Sequence, residues 1–416
     1  MAMAEAANGR LVIVGGGQAG FALAARLRAL GDLRPVTMLC AEASLPYQRP
    51  PLSKKYLLGE MALDRLQFRP EAWYRDNAIE LRLSTRVAAI DRAAACVVLD
   101  DGERVGYDRL ALATGATPRQ LPSAIGGDLE GVFTLRDFRD ADRLSQAMAV
   151  VKAAGRRALI VGGGYIGLEA AAVARLQGLD VTLIEMADRI LQRVAASATS
   201  ALVAALHRGR GVDLREGAAL SRLEGRDGRV VAAHLADGTV LPVDLVIAGI
   251  GVAANDALAR EAGLATGNGI LVDAFGRTQD PAIYAMGDCA LVPFEDMAVR
   301  LESVQNAVDQ AEAVAAHLAG SAEPYRPKPW FWSDQYDVKL QIAGFGLGHD
   351  ETLTRPGARE GAVSVWYFRG GRLIAVDALN DAKAYVTGKK LIEMGVTPER
   401  VRLADPATDL KSLLPA

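Results

Sequence analysis

The stretch that decides the fold is RLVIVGGGQAG, residues 10–20, in which four apolar residues run into three consecutive glycines. This pattern predicts a short buried strand, a tight glycine turn and a helix. Gly15, Gly17 and Gly20 fit the spacing G-x-G-x-x-G. In that motif the first glycine permits the turn, the second lets the backbone approach a pyrophosphate, and the third lets the helix pack on the strand. The stretch therefore predicts a dinucleotide-binding loop with phosphates at a helix N-terminus.

The same pattern returns as RALIVGGGYIG, residues 157–167, with Gly162, Gly164 and Gly167 at the three glycine positions. A strand precedes this second loop and a helix follows it. Two loops predict two dinucleotides. We expect FAD in one loop and a nicotinamide nucleotide in the other, because a hydride then has both a donor and an acceptor.

Each loop is followed by a second predicted strand with an acidic residue, about 20 positions on, as expected for a carboxylate that holds a ribose hydroxyl. In the first copy the strand is PVTMLCAE and the acid is Glu42; in the second the strand is LDVTLIE and the acid is Glu185. A carboxylate at Glu185 accepts bonds from an adenosine 2′-hydroxyl and repels a 2′-phosphate. We therefore expect NADH, although Arg189 and Arg193 lie close enough in sequence to leave NADPH open.

Bulk properties exclude several classes of protein. Half of the 416 residues are apolar and 23% are charged, which favours large buried cores in two or three domains. The net charge of −3, without a basic run, does not indicate a nucleic-acid partner. Neither a membrane span nor a secretory signal is visible. Cys40, Cys96 and Cys289 are scattered, which predicts a cytoplasmic protein with neither a disulfide framework nor a metal site.

The repeat continues beyond the glycines, because DDGERVGYDRLALATGA, residues 100–116, is similar to ADGTVLPVDLVIAGIGV, residues 236–252. In both, an Asp-Gly turn joins two predicted strands. A Pro-rich break, EPYRPKPW, precedes a C-terminal segment of aromatic strands and a final helix. The predicted fold class is α/β, with two Rossmann-like domains and a smaller α+β domain. The predicted boundaries are 1–120 with 250–325 for FAD, 121–249 for NAD and 326–416 for the C-terminal domain.

Further motifs carry a resemblance to a known family. They are TQDPAIYAMGDCA at 278–290, ATG at 113–115, LPYQRPPLSKKYL at 45–57, GGGYIGLEAA at 162–171 and WFWSDQY at 330–336. The first two are markers of two-dinucleotide flavoproteins. Together they resemble the NADH-dependent ferredoxin reductases of bacterial oxygenase systems, over about residues 10–394. The resemblance implies a glutathione-reductase-type fold, FAD, NADH, and a [2Fe–2S] ferredoxin that serves a cytochrome P450 or a ring-hydroxylating dioxygenase.

The resemblance also implies roles for single residues. Lys54 is expected near the flavin N5 edge, Glu169 near the nicotinamide and paired with Lys54, and Trp332 near the flavin from the C-terminal domain; these three form the implied catalytic set. Asp288 is expected on the ribitol and pyrophosphate side of FAD. Further implied FAD contacts are Val87, Arg136 and Val304. The remaining expected cofactor contacts lie within the motifs themselves: Ala19, Arg49, Thr114, Gly115, Tyr165, Ile166 and Gly251.

Simpler interpretations of these residues stay open at this point. Lys54 is equally compatible with a solvated lysine at a helix start, with Pro50 and Pro51 before it and Ser53 as the N-cap. Glu169 is compatible with a simple helix-face carboxylate, but its place two residues after Gly167 predicts that it lies in the first turn of the helix that faces the nicotinamide nucleotide. Family members often have an acidic pair where this chain has Ala41 and Glu42, so Glu42 is expected to hold the FAD ribose from a different direction.

The expected partner surface is basic, because ferredoxins of this kind are acidic. Arg69, Lys383, Lys389 and Lys390 are the candidate contacts; a merely solvated basic face is the alternative. A monomer or weak dimer is expected.

Other functions share the predicted fold. A disulfide reductase needs C-x4-C or C-x-x-C, and neither spacing occurs. A rubredoxin reductase, an NADH oxidase and a slow-turnover signalling flavoprotein of the apoptosis-inducing type remain as alternatives.

Overall fold

The computed structural model describes residues 9–415, which fold into two compact units. The first unit contains the described residues up to Gln48, together with Leu63–Thr117 and Val252–Pro329. The second contains Arg49–Ala62, Pro118–Gly251 and the chain from Trp330 onward. No helix in residues 9–415 combines the length and the apolar character that a membrane crossing requires.

Helices and strands follow one another along the whole of the described chain. Residues 9–118 contain β1 (Leu11–Val14), α1 (Gln18–Ala29), β2 (Val36–Leu39), α2 (Glu71–Asp76), β3 (Ile79–Arg82), β4 (Val87–Asp91), β5 (Cys96–Leu99), β6 (Arg104–Gly106), β7 (Arg109–Leu112) and β8 (Ala116–Pro118). Residues 119–251 contain β9 (Val132–Phe133), α3 (Phe138–Ala154), β10 (Arg157–Val161), α4 (Tyr165–Leu176), β11 (Asp180–Glu185), α5 (Ser197–Gly209), β12 (Asp213–Glu216), β13 (Leu220–Arg226), β14 (Arg229–Leu235), β15 (Val240–Pro242) and β16 (Leu245–Ala248). Residues 252–329 contain β17 (Val252–Ala254), α6 (Ala257–Glu261), β18 (Thr266–Gly267), β19 (Gly269–Leu271), β20 (Ile283–Ala285), β21 (Ala290–Phe294), β22 (Met297–Val299) and α7 (Val304–Leu318). Residues 330–415 contain β23 (Trp330–Gln335), β24 (Val338–Gly344), β25 (Glu351–Pro356), β26 (Val363–Arg369), β27 (Arg372–Leu379), α8 (Ala382–Glu393) and α9 (Arg400–Ala404).

The first unit is built on a five-stranded parallel sheet in the order β20-β7-β1-β2-β3. All four residues of β1 are buried, as expected for a central parallel strand that is covered on both faces. Helices α1 and α7 pack together beside this sheet. The loop after β1 therefore lies at the carboxyl edge of the sheet, where nucleotides bind in folds of this kind.

The second unit repeats this arrangement. Its parallel sheet has the order β12-β11-β10-β16-β9, and β10 occupies the central place that β1 holds in the first unit. The unit also contains a five-stranded antiparallel sheet in the order β23-β24-β27-β26-β25, on which α8 packs. The sequence repeat is therefore a structural repeat, and the predicted α/β class is confirmed.

Strand β2 is shorter than the sequence suggested. It ends at Leu39, so Cys40 follows the strand instead of lying within it, and Glu42 lies three residues beyond the strand end. The backbone N–H of Cys40 still donates to the carbonyl of Arg82, on β3. The Cys40 side chain is buried, as a filler of the core is expected to be.

Candidate nucleotide and redox sites

The first glycine loop has the geometry of a phosphate cradle. A Cβ atom added to Gly15 would lie 2.2 Å from the carbonyl oxygen of Ala113, and one added to Gly20 would lie 2.0 Å from that of Gly15. Both positions therefore require glycine. A Cβ atom at Gly17 would meet no heavy atom within 4 Å among the described residues, so this position faces open space. Gly17 is also the N-cap of α1, where backbone N–H groups are available to an anion. The loop fits a pyrophosphate.

Two more predicted FAD segments lie against this loop in the first unit. The carbonyl of Ala113, before Thr114 and Gly115, makes the close approach to Gly15. A Cβ atom at Gly287 would lie 3.1 Å from Cβ of Ala19, so the turn that carries Asp288 packs on the start of α1. The structure therefore brings these segments together, although they are far apart in sequence.

The other candidates of the first unit have defined places. Two hydrogen bonds to Asn255 hold Thr114 in place. Thr114 Oγ1 donates to the backbone carbonyl of Asn255 at 2.7 Å, and the side-chain amide of Asn255 donates to the backbone carbonyl of Thr114 at 2.8 Å. Glu42 accepts a hydrogen bond of 2.6 Å from the hydroxyl of Tyr47. Val87 is buried at the start of β4, and Val304 begins α7.

The second glycine loop reproduces the geometry of the first. A Cβ atom at Gly162 would lie 2.4 Å from the carbonyl oxygen of Gly249, and one at Gly167 would lie 2.1 Å from that of Gly162. Gly164 again faces open space and is the N-cap of α4. Ile166, the second residue of that helix, is exposed. This loop also fits a pyrophosphate, so the second unit has a nucleotide cradle of its own.

Glu185 is held at the edge of this second loop. One of its carboxylate oxygens accepts from the backbone N–H of Gly163 at 2.7 Å, and the other accepts from that of Ala187 at 2.8 Å. Each oxygen keeps a lone pair for a ribose hydroxyl. Arg189 is engaged elsewhere, since its guanidinium donates to the carbonyl of Ala195 at 2.8 Å and to Ser200 Oγ at 2.5 Å. The Glu185 carboxylate suits a free 2′-hydroxyl. Nη2 of Arg193, the other arginine, would lie 3.6 Å from a Cβ atom added to Gly251, a predicted nucleotide contact.

A buried ion pair lies elsewhere in the second unit. Lys54 Nζ lies 2.7 Å from Glu169 Oε2, and the side chains are 17% and 2% exposed. Ser53 Oγ donates to the same oxygen at 2.5 Å, and Ser333 Oγ donates to Oε1 at 2.7 Å. Three donors thus surround a carboxylate that has lost its hydration, as a buried charge requires. Lys54 also donates to the carbonyl of Pro50 at 3.2 Å.

The simpler interpretations of this segment are wrong. Residues Pro50–Ser53 themselves form a 3-10 helix, so Lys54 follows that helix instead of starting one, and Ser53 bonds to Glu169 instead of capping. The predicted first-turn position of Glu169, on which its expected functional role rests, is also wrong, because Glu169 is the fifth residue of α4 and lies in the second turn. Because Glu169 is buried, it is not an exposed helix-face carboxylate either.

Sequence reasoning missed Ser333 and the role of Ser53. A signal was present in β23, because successive side chains of a strand point to opposite faces, and Ser333 and Gln335 are the buried ones. Two polar residues on the buried face of a strand indicate partners inside the protein. Trp332 lies next to Ser333 in the strand and therefore points to the opposite face, where its ring lies 5.7 Å from that of Trp330.

The remaining candidates form smaller groups. Arg49 Nη1 donates to the carbonyl of Arg136 at 3.1 Å, just before α3.

Lys383 pairs with Asp409 at 3.1 Å, and the Lys389 ammonium lies 5.3 Å from the ring centre of Trp330. Lys383 and Lys390 line one cleft on α8, and Arg69 donates to the carbonyl of Phe68 at 2.8 Å.

Gly251 has a φ of +93°, which favours glycine. Tyr165 starts α4 and contacts the ring of Phe331.

Neither disulfide nor metal chemistry is supported by the rest of the structure. All three cysteines are buried, and burial raises the pKa of the Cys40 thiol to about 12 and also raises that of Cys289. Such thiols are poor nucleophiles at neutral pH. Within residues 9–415, His, Cys, Asp and Glu side chains form no group of three or more that would hold a metal ion.

Two nucleotide cradles and a buried lysine–glutamate pair, in a protein whose three cysteines are buried, define an oxidoreductase that handles two nucleotides. The comparisons with known proteins agree. Residues 9–311 match the family model described as pyridine nucleotide-disulphide oxidoreductase, and residues 330–414 match the one described as reductase C-terminal. The chain therefore belongs to the pyridine nucleotide-disulphide oxidoreductase family.

Named relatives match over almost the whole chain. A 5,5′-dehydrodivanillate O-demethylase ferredoxin reductase subunit from Sphingobium is 44% identical over 97% of this chain and 98% of its own. A ferredoxin–NAD(P)+ reductase from Sphingomonas is 42% identical over 97% of both chains. The reductase in the covalent putidaredoxin reductase–putidaredoxin complex superposes with a TM-score of 0.93, at 40% identity, over 98% of both chains. FAD and NAD(H) are the cofactors of the present chain.

Proposed function

We propose that this chain is an FAD-dependent NADH:ferredoxin oxidoreductase whose partner is a [2Fe–2S] ferredoxin that feeds a cytochrome P450 or a ring-hydroxylating dioxygenase. The observation that carries the proposal is the buried Lys54–Glu169 pair in a chain with two intact nucleotide loops. The relatives are named as ferredoxin reductases, which supports a ferredoxin as the electron acceptor. In the balanced reaction, NADH and two oxidised ferredoxins give NAD+, one proton and two reduced ferredoxins.

When bound, FAD accepts two electrons as a hydride and releases them singly. The residues proposed to hold it are Gly15, Gly17, Ala19, Gly20, Glu42, Arg49, Lys54, Val87, Thr114, Gly115, Arg136, Asp288, Val304 and Trp332. The Gly17 segment binds the pyrophosphate through backbone N–H groups. Asp288 accepts from ribitol hydroxyls, since an ionised carboxylate only accepts hydrogen bonds.

The residues proposed to hold NADH are Gly162, Gly164, Tyr165, Ile166, Gly167, Glu169, Glu185 and Gly251. The Gly164 segment binds the pyrophosphate, and Glu185 accepts from the adenosine ribose. Lys54 and Glu169 form the catalytic pair, in which Glu169 holds the Lys54 ammonium in one place. The fixed positive charge of Lys54 would favour negative charge that develops near it on a bound cofactor. Trp332 completes the proposed catalytic set.

The proposal also includes the domain and partner assignments. Residues 1–120 with 250–325 would bind FAD, 121–249 would bind NADH, and 326–416 would form the C-terminal domain. Arg69, Lys383, Lys389 and Lys390 are the proposed ferredoxin contacts. The protein is proposed to be a cytoplasmic monomer or weak dimer.

The testing experiment is an acceptor panel. The purified protein, reduced anaerobically with NADH, is mixed with [2Fe–2S] ferredoxins, a rubredoxin and dioxygen, and reoxidation of the flavin is followed. We expect rapid reoxidation by at least one ferredoxin and slow reoxidation by the other two acceptors. Faster reoxidation by rubredoxin or dioxygen would make the chain a rubredoxin reductase or an oxidase instead.

A further inference from the structure

A line of buried polar side chains leads away from Glu169 within the second unit. Ser333 Oγ, which donates to Glu169, lies 3.1 Å from Nε2 of Gln335. Oε1 of the same amide lies 2.8 Å from Nε2 of His207, on α5. Ser333, Gln335 and His207 are each 3% exposed or less. Because none of the three meets bulk water, their hydrogen bonds depend on one another.

The carboxylate at one end sets the direction of every bond in this line. A carboxylate only accepts, so the single hydroxyl hydrogen of Ser333 points to Glu169. The Ser333 oxygen must then accept, which places the NH2 group of Gln335 toward it. The carbonyl oxygen of Gln335 therefore faces His207 and must accept in turn. His207 consequently carries its hydrogen on Nε2.

The hydrogen bond at the other ring nitrogen of His207 agrees with hydrogen on Nε2. Its Nδ1 lies 3.4 Å from the hydroxyl of Tyr336, which donates to it when the ring is neutral with hydrogen on Nε2. Burial lowers the pKa of His207, against the opposing effect of the Gln335 hydrogen bond. The ring is therefore neutral near pH 7. Gln335 is an amide that can turn over, and its bonds to Ser333 on one side and to His207 on the other hold it in this orientation.

We propose that His207, Gln335 and Ser333 are positioning residues that hold the Glu169 carboxylate, and through it the Lys54 ammonium, in the arrangement that hydride transfer needs. The inference rests on the proposed function, because only the catalytic role of the Lys54–Glu169 pair makes its position matter. Strand β23 and helix α5 thereby take part in the reduction half-reaction.

The consequence of losing the histidine donor follows from the same rules. Without a donor at position 207, the buried carbonyl oxygen of Gln335 loses its partner, and the Gln335 side chain is held only through Ser333. The Ser333 hydroxyl still donates to Glu169, but the amide that orients Ser333 is less firmly fixed. The hydrogen bond to one oxygen of the buried Glu169 carboxylate is then less well oriented, and the Lys54–Glu169 pair can shift. Small displacements of catalytic groups have large effects on rate, even when their cause is remote.

The kinetic test compares His207→Met with His207→Gln in the FAD-loaded protein. The two replacements have the same length and differ in that only glutamine keeps a donor near the position of Nε2. We expect the limiting rate of flavin reduction by NADH in stopped flow to fall about tenfold or more for H207M and about twofold or less for H207Q. The Kd of NADH should stay the same in both. Equal rates in the two variants would overturn the proposal.

A second measurement does not depend on turnover. The chain has four histidines, so 15N-histidine NMR spectra of wild type and H207Q identify the His207 signals by difference. We expect a neutral ring with hydrogen on Nε2. A ring with hydrogen on Nδ1, or a charged ring, would overturn the assigned direction of the chain of hydrogen bonds.

Failure of the inference is distinguishable from failure of the proposed function. If Glu169→Ala slows flavin reduction and H207M does not, the positioning role is wrong and the catalytic pair stands. If E169A leaves the rate unchanged, the catalytic pair is wrong and the positioning role falls with it.

Discussion

Lys54 Nζ lies 2.7 Å from Glu169 Oε2, although the two residues are 115 positions apart in the chain. Glu169 is almost inaccessible to water, and its carboxylate accepts hydrogen bonds from Lys54, Ser53 and Ser333. A charge in such a place costs free energy that its partners must offset. The pair is therefore expected to have a functional reason, and the proposed one is flavin reduction.

Removal of the carboxylate is the first prediction. In E169A the Lys54 ammonium loses its ionic partner and its fixed position, so the rate of flavin reduction by NADH should fall about tenfold or more, while bound FAD is retained. Stopped-flow absorbance measures that rate. The control is Lys339→Met, which removes a pair of similar length, 2.7 Å, from the surface. Exposed pairs contribute little, so K339M should behave as wild type. Equal losses in E169A and K339M would contradict the account.

Gly17 is predicted to be required for FAD and not for folding. Its added methyl group would meet no described atom within 4 Å, so G17A should fold, with a loss of about 1 kcal/mol at the N-cap at most. The methyl group would instead occupy the approach to the pyrophosphate, and FAD affinity should fall about tenfold or more.

Gly209 provides the matched control for that variant. A methyl group there also meets no described atom within 4 Å, at the end of α5 and away from the nucleotide loops in sequence. G209A should keep full FAD affinity. Fluorescence titration of the apoprotein with FAD makes the comparison, and unchanged affinity in G17A would exclude the proposed binding mode.

Glu185 is predicted to set the nucleotide preference. In Glu185→Gln the single amide oxygen keeps only one of the two loop bonds, from Gly163 or from Ala187, and the negative charge that opposes a 2′-phosphate is lost. The ratio of kcat/KM for NADH to that for NADPH should fall about tenfold, equivalent to about 1.4 kcal/mol. Steady-state kinetics with both nucleotides measure the ratio. An unchanged ratio would assign the preference to another residue.

Asp377 is predicted to make stability depend on pH. It is 1% exposed, accepts from Thr199 Oγ1 at 2.7 Å and from the Tyr367 hydroxyl, and burial raises its pKa to about 6. Because the folded protein binds this proton more tightly than the unfolded chain does, the contribution is complete below about pH 4 and is lost as pH rises through 6. This rise of the Asp377 pKa to about 6 corresponds to about 3 kcal/mol in the free energy of unfolding.

Asp377→Asn removes this titration. Denaturant unfolding between pH 4 and 7 should show a smaller decline of the free energy of unfolding in D377N than in wild type. Parallel curves for wild type and D377N would show that Asp377 ionises normally.

The sequence predicted the parts of the site that local patterns encode. Both glycine loops depend on residues within one strand–turn–helix unit, and the structure places them as expected. The packing of the Asp288 turn on Ala19 and the bond between Ser333 and Glu169 depend instead on how distant segments meet. Strand β23 shows two polar residues on its buried face, but no local rule names Glu169 or His207 as their partners. The short β2 and the 3-10 helix at Pro50–Ser53 were missed because cooperative tertiary packing sets element ends.

An anaerobic titration of the purified protein with NADH tests the central claim most directly. The account predicts a yellow protein whose flavin absorbance at about 450 nm is lost on addition of about one equivalent of NADH and returns on addition of an oxidised [2Fe–2S] ferredoxin. A colourless protein that takes up no added FAD, or a bound flavin whose absorbance NADH leaves unchanged, would contradict it.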